Sequence, residues 1–156
     1  MARFTVVRDV RAPATAAWRV LVDWPRHGGW VPLTTVRTTT SRPDGVGAAF
    51  VARTGVGPLG FDDPMTVVAW ETPEGDEPGD RPGRCEVAKS GRVVHGGAVF
   101  TVTPLPGRRC RVAWTEDVTV SPRRLTRYAE PLVALAGRLA FAATMRAFAR
   151  DAETHR

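Results

Sequence analysis

Apolar and polar residues alternate along most of this chain, and the alternation gives way to a helical period only towards the C-terminus. Phe4, Val6 and Val10 alternate with polar neighbours, the signature of a half-buried strand, although Arg8 breaks the pattern. Pro13 stands where a helix can begin, because its missing N–H is no loss in a first turn. Trp18, Leu21 and Val22 give that short helix an apolar stripe, and it ends near Pro25. The run from Trp24 to Trp30 contains Pro25, Gly28 and Gly29, so it predicts an irregular turn or a very short helix.

The punctuation that follows is that of antiparallel sheet. A threonine-rich strand spans 34–40, and Pro43-Asp44-Gly45 supplies a turn, with proline fixing φ and glycine providing φ > 0. Phe50 centres the next strand, a Gly-Pro loop at 55–58 follows, and another strand runs from Phe61 to Trp70. Residues 73–84 are polar and rich in Pro and Gly, which predicts a mobile loop. Strands at 85–88, 93–103 and 111–120 are joined by tight turns at Ser90-Gly91 and Pro106-Gly107. Seven strands in all, six in succession with short connections, imply a meander.

From about Leu125 to Glu153 the composition becomes rich in Ala and Leu, and the spacing predicts one long helix, starting or kinking at Pro131. At about 100° per residue, Leu132, Leu135, Leu139 and Ala143 share one stripe, with Phe141 and Phe148 roughly opposite. A helix apolar on two sides is expected to be embedded. The fold class that follows is α+β: a curved antiparallel seven-stranded sheet wrapped around the long C-terminal helix, with short helices after the first strand. The chain reads as a single domain over 1–156.

Composition narrows the function. A hydrophobic content of 43% supports a core without metal or disulfide. Cys85 and Cys110 fall on strands separated by a third, about 10 Å apart, too far for a disulfide, and read as buried thiols of a reducing compartment. There is no signal-peptide pattern, and the weakly polar stretch from Leu132 to Met145 is shorter than the roughly 20 residues of a spanning helix. A cytoplasmic protein without membrane insertion is therefore expected. The net charge of +6 comes almost wholly from arginine, Lys89 being the lone lysine. The arginines gather as Arg108, Arg109 and Arg111 and as Arg123, Arg124 and Arg127, at opposite ends of one strand and without interleaved aromatics, so no nucleic-acid partner is expected. His27, His95 and His155 lack metal-ligand spacing, and no nucleophile, phosphate-loop or dinucleotide motif is present, so neither metal nor cofactor is expected.

Several short motifs occur in a telling order. They are Ala12-Pro13 before Trp18, then Trp24, His27, Trp30 and Pro32, then Gly45-x-Gly47-xx-Phe50. Phe61-x-Asp63-x-Met65-x-Val67-xx-Trp70 follows, then Val112-x-Trp114-x-Glu116 and the long helix. In this order the chain resembles the START/Bet v 1-like (SRPBCC) superfamily, the polyketide cyclase/dehydrase and lipid-transport group, over nearly its whole length. The resemblance implies a helix-grip fold with a cavity between sheet and helix. It implies no shared catalytic motif, so it points to a pocket rather than to a reaction.

Within that frame the expected ligand-binding residues are Trp30, Phe50, Asp63, Met65, Trp114, Glu116, Leu135, Leu139 and Arg146, with no catalytic residue assigned. Alternation on the last strand puts Glu116 on the face of Val112, Trp114 and Val118, where a carboxylate is either a ligand contact or general base, or a salt-bridge partner at the rim. Asp63 shares a face with Phe61, Met65 and Val67, as a polar group in the pocket or as part of a strand-opening turn. Arg146 lies on the azimuth of Leu135 and Leu139, where it pairs with an internal carboxylate or reaches solvent. Trp30, in an irregular Gly-rich segment, is placed at the cavity mouth. Three functions fit: binding of a small hydrophobic, lipid- or polyketide-like molecule; a cyclase or dehydratase using acid and base groups in the cavity; and a co-chaperone-like interaction module. The scarcity of titratable residues in the inward set favours the first. Oligomeric state and ligand identity are not written in the sequence.

Overall fold

The computed structural model describes residues 2–121, 128 and 130–155. Strand β1 (Ala2–Val10) leads into helix α1 (Ala14–Leu21), a 3₁₀ turn (Trp24–Arg26) and the one-turn helix α2 (His27–Trp30). Strands β2 (Thr34–Thr38), β3 (Ala49–Thr54), β4 (Phe61–Glu71), β5 (Gly83–Ser90), β6 (Val94–Leu105) and β7 (Arg109–Val120) follow, and helix α3 (Glu130–Thr154) closes the chain. The seven strands form one antiparallel sheet in the order β1-β7-β6-β5-β4-β3-β2. The meander is therefore as the turn chemistry predicts, with β1 added beside the last strand. The expected start of the long helix before residue 130, and Arg123, Arg124 and Arg127, lie outside the described residues. No helix of the described residues is long and apolar enough to cross a membrane.

Alternation sets the faces. Along β7, Cys110, Val112, Trp114, Glu116 and Val118 are buried, while Arg109 and Arg111 are exposed. The sheet curls over a core of Leu21, Trp24, Phe50, Phe100, Met145 and Phe148, with Trp24 stacked on Phe50 at a centroid distance of 4.2 Å. Cys85 and Cys110 are buried and free, and burial pushes both thiols up to about 12. Two glycines have steric duties. A Cβ at Gly137 would stand 2.7 Å from the Phe4 ring, so only glycine lets α3 approach β1 so closely. Gly96 holds φ at +134° beside the Asp117 carbonyl, where a Cβ would clash at 2.2 Å.

Two expectations are corrected. The loop between β4 and β5 is not a loose tether. Asp76 Oδ1 accepts the Thr15 N–H at 2.8 Å and its carboxylate accepts the Thr15 hydroxyl, in the first turn of α1. Pro73 is buried, and Pro73 and Trp18 both crowd Gly83. The polar composition marks a loop, but its carboxylate has a helix N-terminus to satisfy. Nor is α3 embedded on two sides. Its Phe141, Met145 and Phe148 side packs on the core, whereas Leu132, Leu135 and Leu139 are 70, 54 and 64% exposed. The sheet wraps one face of the helix only, and the aromatic stripe fills that face.

Candidate ligand cavity and its buried charge cluster

Between the concave face of the sheet and α3 lies a cavity of about 280 Å³. The inward positions of the strands build its walls: Phe50 and Ala52 of β3, Phe61 and Met65 of β4, Ala98 and Phe100 of β6, Trp114 and Val118 of β7, with Phe4 from β1 and Phe141 from α3. A dense aromatic wall runs through it: Trp114 meets Phe100 at 4.5 Å and Phe141 at 5.0 Å, and Phe141 meets Phe4 at 5.2 Å, centroid to centroid.

The charged side chains of the lining, three in number, form one cluster. Lys89 Nζ donates to Asp63 Oδ2 at 3.0 Å and lies 3.3 Å from Glu116 Oε2. Trp114 Nε1 donates to Glu116 Oε1 at 2.8 Å. The register explains how a lysine on β5 reaches a glutamate two strands away. Lys89 pairs with Gly96 and Glu116 with Ala98, so the intervening strand β6 puts no bulky side chain in the path. All three groups line the cavity and are largely withdrawn from solvent. Burial pushes the Glu116 carboxyl up, and the opposing pull of the Lys89 ammonium and the Trp114 hydrogen bond does not cancel it. For Lys89 burial acts downward, but the fields of Glu116 and Asp63 and the hydrogen bonds to both carboxylates together raise it, so it stays an ammonium. One lysine faces two carboxylates. The group is neutral when one carboxyl holds a proton and carries one net negative charge when both are ionised. Asp63 Oδ1 is buried without a hydrogen-bond partner, an acceptor that a bound donor would satisfy.

His27 also borders the cavity. Its Nε2 lies 2.7 Å from the Leu21 carbonyl. A carbonyl only accepts, so Nε2 carries the proton and Nδ1 the lone pair. Burial lowers the imidazole to about 4, the Leu21 contact opposing only in part, and His27 is therefore neutral near pH 7. The Trp30 and Trp114 rings lie 4.6 and 5.6 Å from it.

Of the residues expected to meet a ligand, Phe50, Asp63, Met65, Trp114 and Glu116 line the cavity. Glu116 sits inside, not at the rim, and Asp63 joins it through Lys89. Trp30, Leu135, Leu139 and Arg146 do not line it. Trp30 is buried behind His27, packs on Phe148 at 5.2 Å and donates to Asp151 Oδ2 at 3.1 Å. Leu135, Leu139 and Arg146 share an azimuth as expected, but it points to solvent. Lys89, Phe61, Phe100 and Phe141 are cavity residues that the sequence reading does not single out. For Lys89 the signal exists: Cys85, Val87 and Lys89 share one strand face, and the first two are apolar.

A curved sheet gripping a helix over an apolar cavity defines a helix-grip protein. The chain belongs to the family described as polyketide cyclase / dehydrase and lipid transport, whose model matches residues 1–153. No curated protein matches the sequence. Among solved structures, a protein of Thermus thermophilus is similar at a TM-score of 0.76 and 12% identity, covering 97% of each chain. The Zhui aromatase/cyclase from a Streptomyces species is similar at a TM-score of 0.69 and 16% identity, covering 97% of this chain and 93% of its own. Norcoclaurine synthase from Thalictrum flavum, solved with dopamine and hydroxybenzaldehyde, is similar at a TM-score of 0.61 and 17% identity, covering 99% of this chain and 87% of its own. At such identities the likeness is one of fold.

Proposed function

We propose that the protein binds a small hydrophobic molecule of lipid- or polyketide-like character in this cavity, its polar end against Lys89, Asp63 and Glu116. The observation that carries the reading is the pairing of aromatic walls with one buried charge cluster that includes an unsatisfied acceptor. Apolar surface supplies affinity, and a few convergent polar groups fix orientation. A hydroxyl suits the cluster, since it can donate to a carboxylate oxygen while accepting from an ammonium.

Native mass spectrometry of the freshly purified protein tests this reading. A retained apolar molecule with a hydrogen-bonding end is expected. In protein stripped of it, an apolar naphthalene dye should bind and be displaced by 1-naphthol. A stripped protein that takes up neither compound would remove the reading.

A second reading, proton-transfer catalysis of cyclase or dehydratase type, is favoured by one further observation. A carboxyl with raised proton affinity and a neutral imidazole with a free lone pair border the same cavity. Two of the structural relatives bear the names of enzymes, an aromatase/cyclase and a synthase. Deuterium exchange into a β-diketone probe distinguishes the readings. A catalyst accelerates it and loses the acceleration in Glu116→Gln while still binding the dye, whereas a carrier gives the buffer rate throughout.

A further inference from the structure

The exposed aliphatic side chains are not scattered. Leu33, Val56 and Leu59 are 69, 65 and 89% exposed, and the Gly55 N–H bonds the Leu33 carbonyl at 2.9 Å, tying their two loops together. Both loops stand at the end of the sheet where Thr34, Thr54 and Phe61 line the cavity. The N-terminal half of α3 flanks the same cavity, with Gly137 and Phe141 turned inward and Leu132, Leu135 and Leu139 outward. A single exposed leucine needs no explanation, but this gathering beside one opening does.

Fixed charge at the open end fits the same reading. The opposite pole is mixed, Glu71, Glu74, Asp76, Glu77 and Asp80 standing there with Arg19, Arg81, Arg84, Arg108 and Arg109, and Asp44 with Arg42. Among the described side chains at the cavity's open end, the carboxylates nearest the surface are Asp62, held by Arg53 at 3.0 Å, and the half-buried Asp117 on the outer face. Arg3, Arg92 and Arg138 are exposed there, outside every ion pair among the described residues. The open end is therefore apolar with unpaired arginines, whereas the opposite pole mixes both signs.

We propose that the open end docks on an anionic lipid surface, its leucines entering the headgroup boundary and its arginines meeting lipid phosphates. Interfacial binding grows with the apolar area inserted and with the attraction of basic residues to anionic lipid. An acidic protein would be read chiefly through charge, whereas here aliphatic side chains outnumber the free arginines. Because the leucines stand at the open end, insertion turns the cavity towards the bilayer. The docking deepens the ligand-binding reading, because it gives an apolar ligand a source.

The test is flotation of the full chain with phosphatidylcholine vesicles, with and without phosphatidylglycerol. Flotation is expected with the anionic vesicles, weak with phosphatidylcholine alone, and falling as salt is added. The pairs Val56→Ser with Leu59→Ser, and Leu135→Ser with Leu139→Ser, should each weaken it by more than about tenfold. Val7→Ser and Val68→Ser, at aliphatic positions 55 and 51% exposed on strands, should leave it unchanged. Dye binding without vesicles reads the cavity separately. The serine pairs should keep it, so lost flotation with intact dye binding speaks to docking alone, and dye binding absent from wild type speaks against the ligand reading. No flotation at low salt, or equal losses in the strand controls, would overturn the proposal. So would a wild-type dimer that Leu135→Ser with Leu139→Ser dissociates, since the face would then belong to a second copy. All four variant sites are exposed, and if one pair melts early the other decides.

Discussion

The residue that organises the cavity is Lys89. It is visible in the sequence as the lone lysine but acquires no role there, because a strand residue's partners come from other strands and no local spacing reveals them. Alternation places Glu116 and Asp63 on inward faces, yet the link between them needs the register across β6. Lys89→Met removes the one cation between two buried carboxylates and should cost about 3–5 kcal/mol in denaturant unfolding. Adding Asp63→Asn and Glu116→Gln should recover most of that loss. If Lys89→Met alone is neutral, the carboxyls hold protons already and the ion pairs do not matter. His27 gives a signed pH dependence. The unfolded chain protonates near 6.5 and the folded chain only near 4. Above pH 6.5 both states are neutral and His27 contributes nothing. As pH falls from 6.5 towards 4, only the unfolded state gains the proton, so stability drops, by roughly 3 kcal/mol in full. Glu116, its carboxyl raised, acts with the opposite sign in acid, and the nearby Lys89 ammonium adds to the resistance of His27 to protonation. The comparison must therefore be wild type minus His27→Gln. That difference should shrink from pH 6.5 to 5, and a constant difference would mean the ring protonates in the folded state.

At the scale of elements, strands are easier to read than helix faces. Turn chemistry such as Pro43-Asp44-Gly45 and Pro106-Gly107 fixes where strands end, and period-2 alternation then fixes which side is buried. On α3 the period is equally clear, but two apolar stripes compete, and nothing local decides which one the sheet takes. The deciding contact is the approach of Gly137 to Phe4, which lies far away in sequence. The loop between β4 and β5 misleads for a similar reason. Its composition is that of a solvated tether, but Asp76 reaches back across the chain to the start of α1, where Pro13 provides no side-chain cap. Asp76 thus acts as a distant N-cap. Asp76→Ala should lower stability by about 1 kcal/mol, as loss of an ordinary cap does, and Asp80→Ala serves as comparison within the same loop. Replacing the whole loop with a short turn should lower the melting temperature further, because the Pro73 packing goes as well. Unchanged melting in both variants would return the loop to the status of a tether.

At the scale of the whole molecule, the domain leaves part of its interior unfilled. A tightly packed core of this size would have no reason to keep about 280 Å³ open among aromatic rings. The cavity is therefore a prediction about packing as well as about ligands. Phe141 points into it from α3, between Phe4 and Trp114. In a filled core Phe141→Trp would overpack and cost about 1–3 kcal/mol. Beside open space the larger ring has room, so unfolding free energy should change little, and added contacts can raise it. The same indole takes up ligand volume, so affinity for the naphthalene dye should fall more than about tenfold. Leu139→Trp is the matched control, since Leu139 faces solvent and should alter neither quantity. Both variants report through the same two measurements, denaturant midpoint and dye titration. A destabilised Phe141→Trp that still binds dye normally would mean that the space closes in solution and the dye sits elsewhere. Dye binding lost in Leu139→Trp but kept in Phe141→Trp would put the binding surface on the outward face of α3, and the cavity would lose its claim to be the site.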